Sequence, residues 1–274
     1  MKLTALTLII ISINAFTALA QIDTVYTNTE KIACNVKEIT PDAIRFIYPG
    51  EDVLNSIYKN MVQKVLFKNG RIQTFAEATS FKTINNVMDY NKVTITSIAD
   101  ELKGLYKLGE VSSKAIGTTV FSSQENVKER AYRKLKIQAA MLGANTVLIT
   151  FQRTEGNKYN EDNSQTAETN LTGIAYSNNL PDLEKFKKLL ANRTDFLVVN
   201  EFKLWASDGD VSQNDEPRAF KINNIINENG IIFIDGNLAG EKRITKFQLA
   251  NFNNDNFSVQ YKKGESDHNL VISF

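Results

Sequence analysis

Leu142-Gly143-Ala144-Asn145-Thr146-Val147-Leu148-Ile149 ends one element and begins another within eight residues. Gly143 suits a left-handed helix exit, Asn145 can hydrogen-bond the local backbone, and the β-branched run that follows has the composition of a strand. Working backwards, Val127, Ala131, Leu135, Ala139 and Leu142 recur at helical spacing, so the preceding segment reads as an amphipathic helix. Ser122 with Glu125 three residues later is a capping box that opens it. Ala139 and Ala140 let this helix approach a sheet closely.

The surrounding elements follow from the same periodicities. Val93, Ile95 and Ile98 mark a strand before the helix, Leu105 to Val111 another, and Ala115 to Phe121 continues it after a break at Ser112-Ser113. Beyond the helix, Asn145 to Arg153 and Leu171 to Tyr176 are strands separated by an exposed polar loop, Glu155 to Glu168. A second helix starts near Pro181, with Leu183, Phe186, Leu189 and Leu190 on its apolar side. The expected limits are 92–178 for this α/β unit and 181–193 for the connecting helix.

On the N-terminal side, residues 21–76 read as a small all-β domain. Ile32, Cys34 and Val36 alternate with polar residues; Ile44, Phe46 and Tyr48 do the same, and Asn69-Gly70 suits a hairpin between Val62 to Phe67 and Arg71 to Phe75. Ala76 to Asn91 is a connector. On the C-terminal side, residues 194–274 supply six candidate strands, with Asn229-Gly230 and Asp235-Gly236 as hairpin-type turns. An antiparallel barrel or sandwich is expected there, and an α+β multidomain protein overall.

Residues 1–20 read as an export signal: Lys2 is the basic region, Leu3 to Phe16 the apolar one, and Ala18-Leu19-Ala20 the cleavage site. The mature protein is then expected to begin at Gln21 and to be periplasmic or secreted, with no transmembrane segment after cleavage. The chain's 32 Lys and Arg residues nearly cancel its 31 Asp and Glu residues, so no basic surface recommends nucleic acid as a partner. Cys34 is the single cysteine and His268 the single histidine. No intrachain disulfide can form, zinc sites of the Cys/His type lack ligands, and any Ser-His-acid arrangement must use His268. His268 lies in a polar turn and is expected at the surface; Cys34 is expected to be a buried structural thiol.

The segments Leu108-Gly109-Glu110-Val111, Lys134 to Ala140, Leu142 to Ile149 and Thr172-Gly173-Ile174-Ala175-Tyr176 together resemble the RcsF and YbjQ-like family. The resemblance covers about residues 105–176 and implies a strand, an Ala-rich helix, a GAN-type turn into a strand and a returning strand at Gly173. It further implies an envelope setting with protein contacts. The flanking β units are similar in character to those of exported proteins from Bacteroidetes.

Candidate sites are few. Asp208, Asp210, Ser212 and Asn214 stand at alternating positions like calcium ligands, but Gln213 and Ala219 occupy the positions of the turn glycine and the bidentate Glu, so a solvated acidic loop is the preferred reading. Lys128, Arg130, Arg133, Lys134 and Lys136 read as a solvated helix face. The neighbouring pairs Glu51/Asp52, Asp100/Glu101 and Glu161/Asp162 are not expected to converge on one substrate atom. No catalytic residue and no cofactor are assigned. The expected function is non-enzymatic binding outside the cytoplasm, with an envelope protein or cell-wall glycan as partner; the alternative is a carboxylate-based hydrolase of such a glycan.

Overall fold

The computed structural model describes residues 22–27, 30–75, 81–156 and 165–274. The expected export signal and the centre of the polar loop at 157–164 lie outside these residues. The protein is mostly β, with several sheets, and divides into two compact units, Met1–Thr79 and Ser80–Phe274.

The first unit is one antiparallel sheet of six strands: β1 (Asp23–Thr27), β2 (Lys31–Ile39), β3 (Ala43–Ile47), β4 (Asn55–Tyr58), β5 (Val62–Leu66) and β6 (Ile72–Thr74), in the spatial order β4-β3-β2-β1-β5-β6. The alternation read in β2 and β3 places Ile32, Cys34, Ile44 and Phe46 with Val25, Val62 and Val65 in one core. Gly70 takes a positive φ of 83° in the β5–β6 hairpin, the conformation its Asn-Gly dipeptide favours. Cys34 lies opposite Asp23 in the ladder. Burial, helped by the Asp23 carboxylate, pushes the thiol up to about 11. The native protein is therefore expected to react with a thiol-directed disulfide reagent at pH 8 far more slowly than the denatured protein. Equal rates would show Cys34 to be exposed.

The second unit joins an α/β layer to a barrel. Strands β7 (Thr94–Thr96), β8 (Tyr106–Ile116), β9 (Thr146–Glu155) and β10 (Glu168–Ser177) form a sheet ordered β7-β9-β10-β8, with β7 and β9 parallel and the other pairs antiparallel. Helix α1 (Gln124–Met141) lies on it through Val127, Ala131, Leu135, Ala139 and Ala140. Its cap is Ser123, whose hydroxyl accepts from the Asn126 amide, rather than Ser122; the Ser122 hydroxyl instead accepts from the Thr119 amide in the turn before the helix. The Ser122/Glu125 capping box is thus corrected by one residue. Gly143 does terminate the helix at φ 76°, and a side chain there would collide with the Ala250 carbonyl of the barrel. Asn145 receives the Tyr176 carbonyl at its amide, donates its side chain to Asn178 at 2.5 Å, and offers its carbonyl to Thr94. It joins β7, β9 and the end of β10 at one point. Gly173 lies where any Cβ would strike the Leu148 carbonyl and Val147.

Ser112-Ser113 is no break. β8 runs through it, because the Ser113 hydroxyl donates to the Ala131 carbonyl of α1 at 2.7 Å and its polarity is satisfied inside the fold.

The barrel comprises β11 (Asp195–Trp205), β12 (Ser212–Asn214), β13 (Arg218–Glu228), β14 (Ile231–Leu238), β15 (Lys246–Phe252), β16 (Asn256–Lys263) and β17 (Ser266–Ser273), closed by pairing of β17 with β11. Asn229 and Gly230 both have positive φ in the β13–β14 hairpin. Asp235-Gly236, expected as a turn, lies within β14: Gly236 faces the Lys221 carbonyl beside the bulge of β13, where a Cβ would not fit. Helix α2 (Leu183–Leu190) contributes Phe186 and Leu190 to the barrel core, with Phe186 packed on Phe252 and Phe257 at 5.4 Å between ring centroids.

A β-bulge between Val198 and Asn200 decides how β11 is used. Before it, Phe196 and Val198 enter the barrel core. After it, Phe202 and Leu204 pack instead with Ile137 and Met141 of α1, while Glu201 reaches the barrel residues Tyr261 and His268. The extra residue re-aims the strand. The same helix is therefore covered by the α/β sheet on one side and the barrel on the other.

Candidate functional site

Because α1 is covered on two sides, its basic face is not wholly solvated as expected. Lys134 is only 3% exposed. Arg130, Lys134 and Gln138 follow one another at four-residue spacing and lie along the outer edge of β8. Arg130 donates to the Ile116 carbonyl at 2.7 Å, Lys134 to the Lys114 carbonyl at 2.9 Å, and the Gln138 side-chain carbonyl accepts from the Ser112 amide at 2.9 Å. Gln248 of the barrel donates to the Leu108 carbonyl further along. An edge strand carries unpaired peptide groups; here side chains occupy those four.

This arrangement leaves a groove of about 420 Å³ between β8, β10 and the β11–β17 side of the barrel. Its polar surface includes Gln138, Asn170, Thr172 and Asp267, and its aromatic surface Phe151 and Trp205. Phe151 is 51% exposed and Trp205 46% exposed. The Lys203 ammonium sits 3.5 Å from the centre of the Trp205 ring, which fixes that indole by a cation–π contact. Asp267 accepts from Gln138 at 2.8 Å and Gln260 at 3.4 Å and pairs with Lys262 at 3.5 Å, so its carboxylate is held in place.

Burial draws the Lys134 ammonium below the ordinary lysine value; the negative charge of Asp208 opposes this and the positive charge of Arg130 reinforces it. At the groove's edge, Lys114 pairs with Glu168 at 2.8 Å. That hydrogen bond, with another from Asn170, holds the Glu168 carboxyl below the usual range.

A second, smaller cavity of about 240 Å³ opens at one mouth of the barrel. Its centre is His268, which is 3% exposed, so the surface assignment is corrected: β17 begins at Ser266 and carries the ring inward. The ring stacks on Tyr261 at 4.6 Å between centroids, with Nδ1 2.7 Å from Glu201 Oε1 and Nε2 2.9 Å from Ser266 Oγ. Ser266 Oγ also lies 2.8 Å from the Lys263 carbonyl, to which it donates. Glu201 further accepts from Arg218 at 2.6 Å and Tyr261 at 3.2 Å. Burial works to raise the Glu201 carboxyl, but His268, Arg218 and Tyr261 together hold it below the usual carboxylate value. The Tyr261 hydroxyl is raised, by burial and by that same carboxylate. Across the mouth, Lys263 at 2.5 Å and the Arg243 amide keep Glu241 low as well.

The four positions read as a possible calcium loop do not converge. Ser212 and Asn214 lie in β12 and line the barrel mouth, Asp208 acts on Lys134, and Asp210 caps the Val211 amide and stands 3.8 Å from Arg133. Pairing of β12 with β11 extends the segment, whereas calcium coordination needs it curled. Among the described residues, no three His, Cys, Asp or Glu side chains gather as for a metal ion. Glu51 and Asp52 belong to the first unit, Asp100 and Glu101 to a 3-10 turn at Ala99–Leu102 of the second, and Glu161 and Asp162 lie outside the described residues.

Sequence reasoning missed the groove because its aromatics come from separate strands. It missed the Glu201 cluster because a bulge reverses the facing of β11. Comparison with protein-family models, with curated proteins and with solved structures finds no match to the chain. No helix among the described residues is long and apolar enough to cross a membrane.

Proposed function

We propose that this protein is exported, with Met1 to Ala20 removed, and acts outside the cytoplasm as a non-enzymatic binding protein for cell-wall glycan, built around an RcsF/YbjQ-like segment at about residues 105–176. The observation that carries the ligand class is the groove, where two half-exposed aromatic side chains accompany hydrogen-bonding groups on firm strands. Sugars present apolar C–H faces between hydroxyls, and such a mixture of aromatic and amide groups meets both. The RcsF/YbjQ-like reading is supported by the Ala-rich helix, the turn at Gly143 to Asn145 and the returning strand at Gly173.

The hydrolase alternative draws its support from the barrel mouth, where Glu201 and Glu241 line one cavity. General acid catalysis needs one carboxyl kept protonated near neutral pH. Both of these are instead held toward the anion by their partners. Binding without turnover is the better account.

Titration calorimetry with the mature chain and the N-acetylglucosamine tetramer tests the reading. Saturable binding with a Kd of about 0.1 to 1 mM is expected, and Phe151→Ala should weaken it by about ten-fold, the worth of one stacked aromatic contact. Absence of heat at ~10 mM sugar would exclude this ligand class.

A further inference from the structure

We propose that the ammonium of Lys134 is an anion subsite of the groove, so that the glycan bound there carries a carboxylate. The inference rests on the glycan reading and specifies its chemistry. Lys134 reaches the groove from α1 while the residue itself is 3% exposed. An ammonium has three N–H donors; the carbonyls of Lys114 and Ala206 take two, leaving one for a ligand. Both partners are neutral, and the Asp208 carboxylate that acts on Lys134 forms no ion pair with it. Asp208 acts on this cation without pairing with it, and an arriving anion would add a charge-assisted hydrogen bond that the two carbonyls cannot supply.

The other charges of the groove are largely paired with one another. Lys114, Lys134 and Lys262 line it against Glu265 and Asp267. Asp267 is already engaged by Gln138, Gln260 and Lys262, so its charge is spent internally. Lys114 is likewise paired with Glu168 and Lys262 with Asp267, which leaves Lys134 as the groove-lining lysine without an ion pair among the described residues.

The test compares three sugars by calorimetry: the N-acetylglucosamine disaccharide, the disaccharide of N-acetylglucosamine with N-acetylmuramic acid, and the methyl ester of the latter. The acid is expected to bind at least ten-fold more tightly than its ester or the neutral disaccharide. Lys134→Gln, which removes the charge, should abolish that preference. Equal affinity for acid and ester overturns the subsite alone. Failure of all three sugars to bind removes the glycan reading and the subsite with it. The acid–ester comparison on the unaltered protein decides the matter even where Lys134→Gln does not fold.

Discussion

Glu201→Leu is expected to destabilise the second unit by about 3 to 5 kcal/mol, because it strips three donors of a shared acceptor inside the barrel. Arg218, His268 and Tyr261 all point at this carboxylate, whose side chain is 13% exposed. Leucine would leave a guanidinium and an imidazole without their acceptor in a site closed by the stacked Tyr261 ring. In a unit of this size that corresponds to a fall in melting temperature of about 6 to 20 °C. Glu201→Gln, which keeps an acceptor oxygen, should lose much less. The pH dependence has a definite sign. The Glu201 carboxyl titrates below its ordinary value in the fold, so its stabilisation is full above the unfolded-state value of about 4.3 and is lost as pH falls through the folded value. The difference between the wild type and Glu201→Leu should therefore shrink on acidification below about pH 4. A leucine variant melting within 1 or ~2 °C of the wild type at pH 7 would show that the cluster contributes little.

Deleting Val199 together with Asn200 should do greater damage. Val199 is the extra residue in the bulge of β11, so its loss alone would straighten the ladder without changing the facing, whereas loss of both moves everything after them to the opposite face. Phe202 and Leu204, now packed on Ile137 and Met141, would be forced toward the barrel mouth, while Glu201 and Lys203 would be turned toward α1. Two large apolar side chains leaving their cover forfeit about 3 to 6 kcal/mol, before any cost of burying charge against the helix is counted. Loss of cooperative unfolding, followed by near-ultraviolet circular dichroism, is the expected result. A cooperative transition within about 1 kcal/mol of the wild type would mean that the bulge does not set the register.

The bulge also explains which parts of this fold were legible in the chain. Periodic signals worked where one element met one core. The β2 alternation placed Cys34 inside, the Val127-to-Leu142 stripe found α1, and Asn-Gly dipeptides located two hairpins. They failed where polar groups are satisfied by distant backbone. Ser113 looked like a break because its partner, the Ala131 carbonyl, belongs to another element. Lys134 looked solvated because the edge of β8 that it caps appears only once helix and sheet are packed. His268 looked like part of a turn because its neighbours are polar, yet Asp267 and Asn269 bond to α1 on one face while His268 bonds to Glu201 on the other. A strand polar on both faces has no apolar period to read. The groove inherits that illegibility, since each of its walls is a tertiary event.

The most direct test of the glycan reading uses a property of the chain itself. Trp205 is its only tryptophan and lies in the groove, half-exposed, so the emission of the whole protein reports on that surface. Titration with the N-acetylglucosamine tetramer should shift this emission to shorter wavelength and saturate, as stacking removes the indole from water. Phe151→Ala should move the midpoint to higher concentration by about ten-fold. An emission spectrum unchanged at ~10 mM sugar, with the protein folded throughout, would contradict the account.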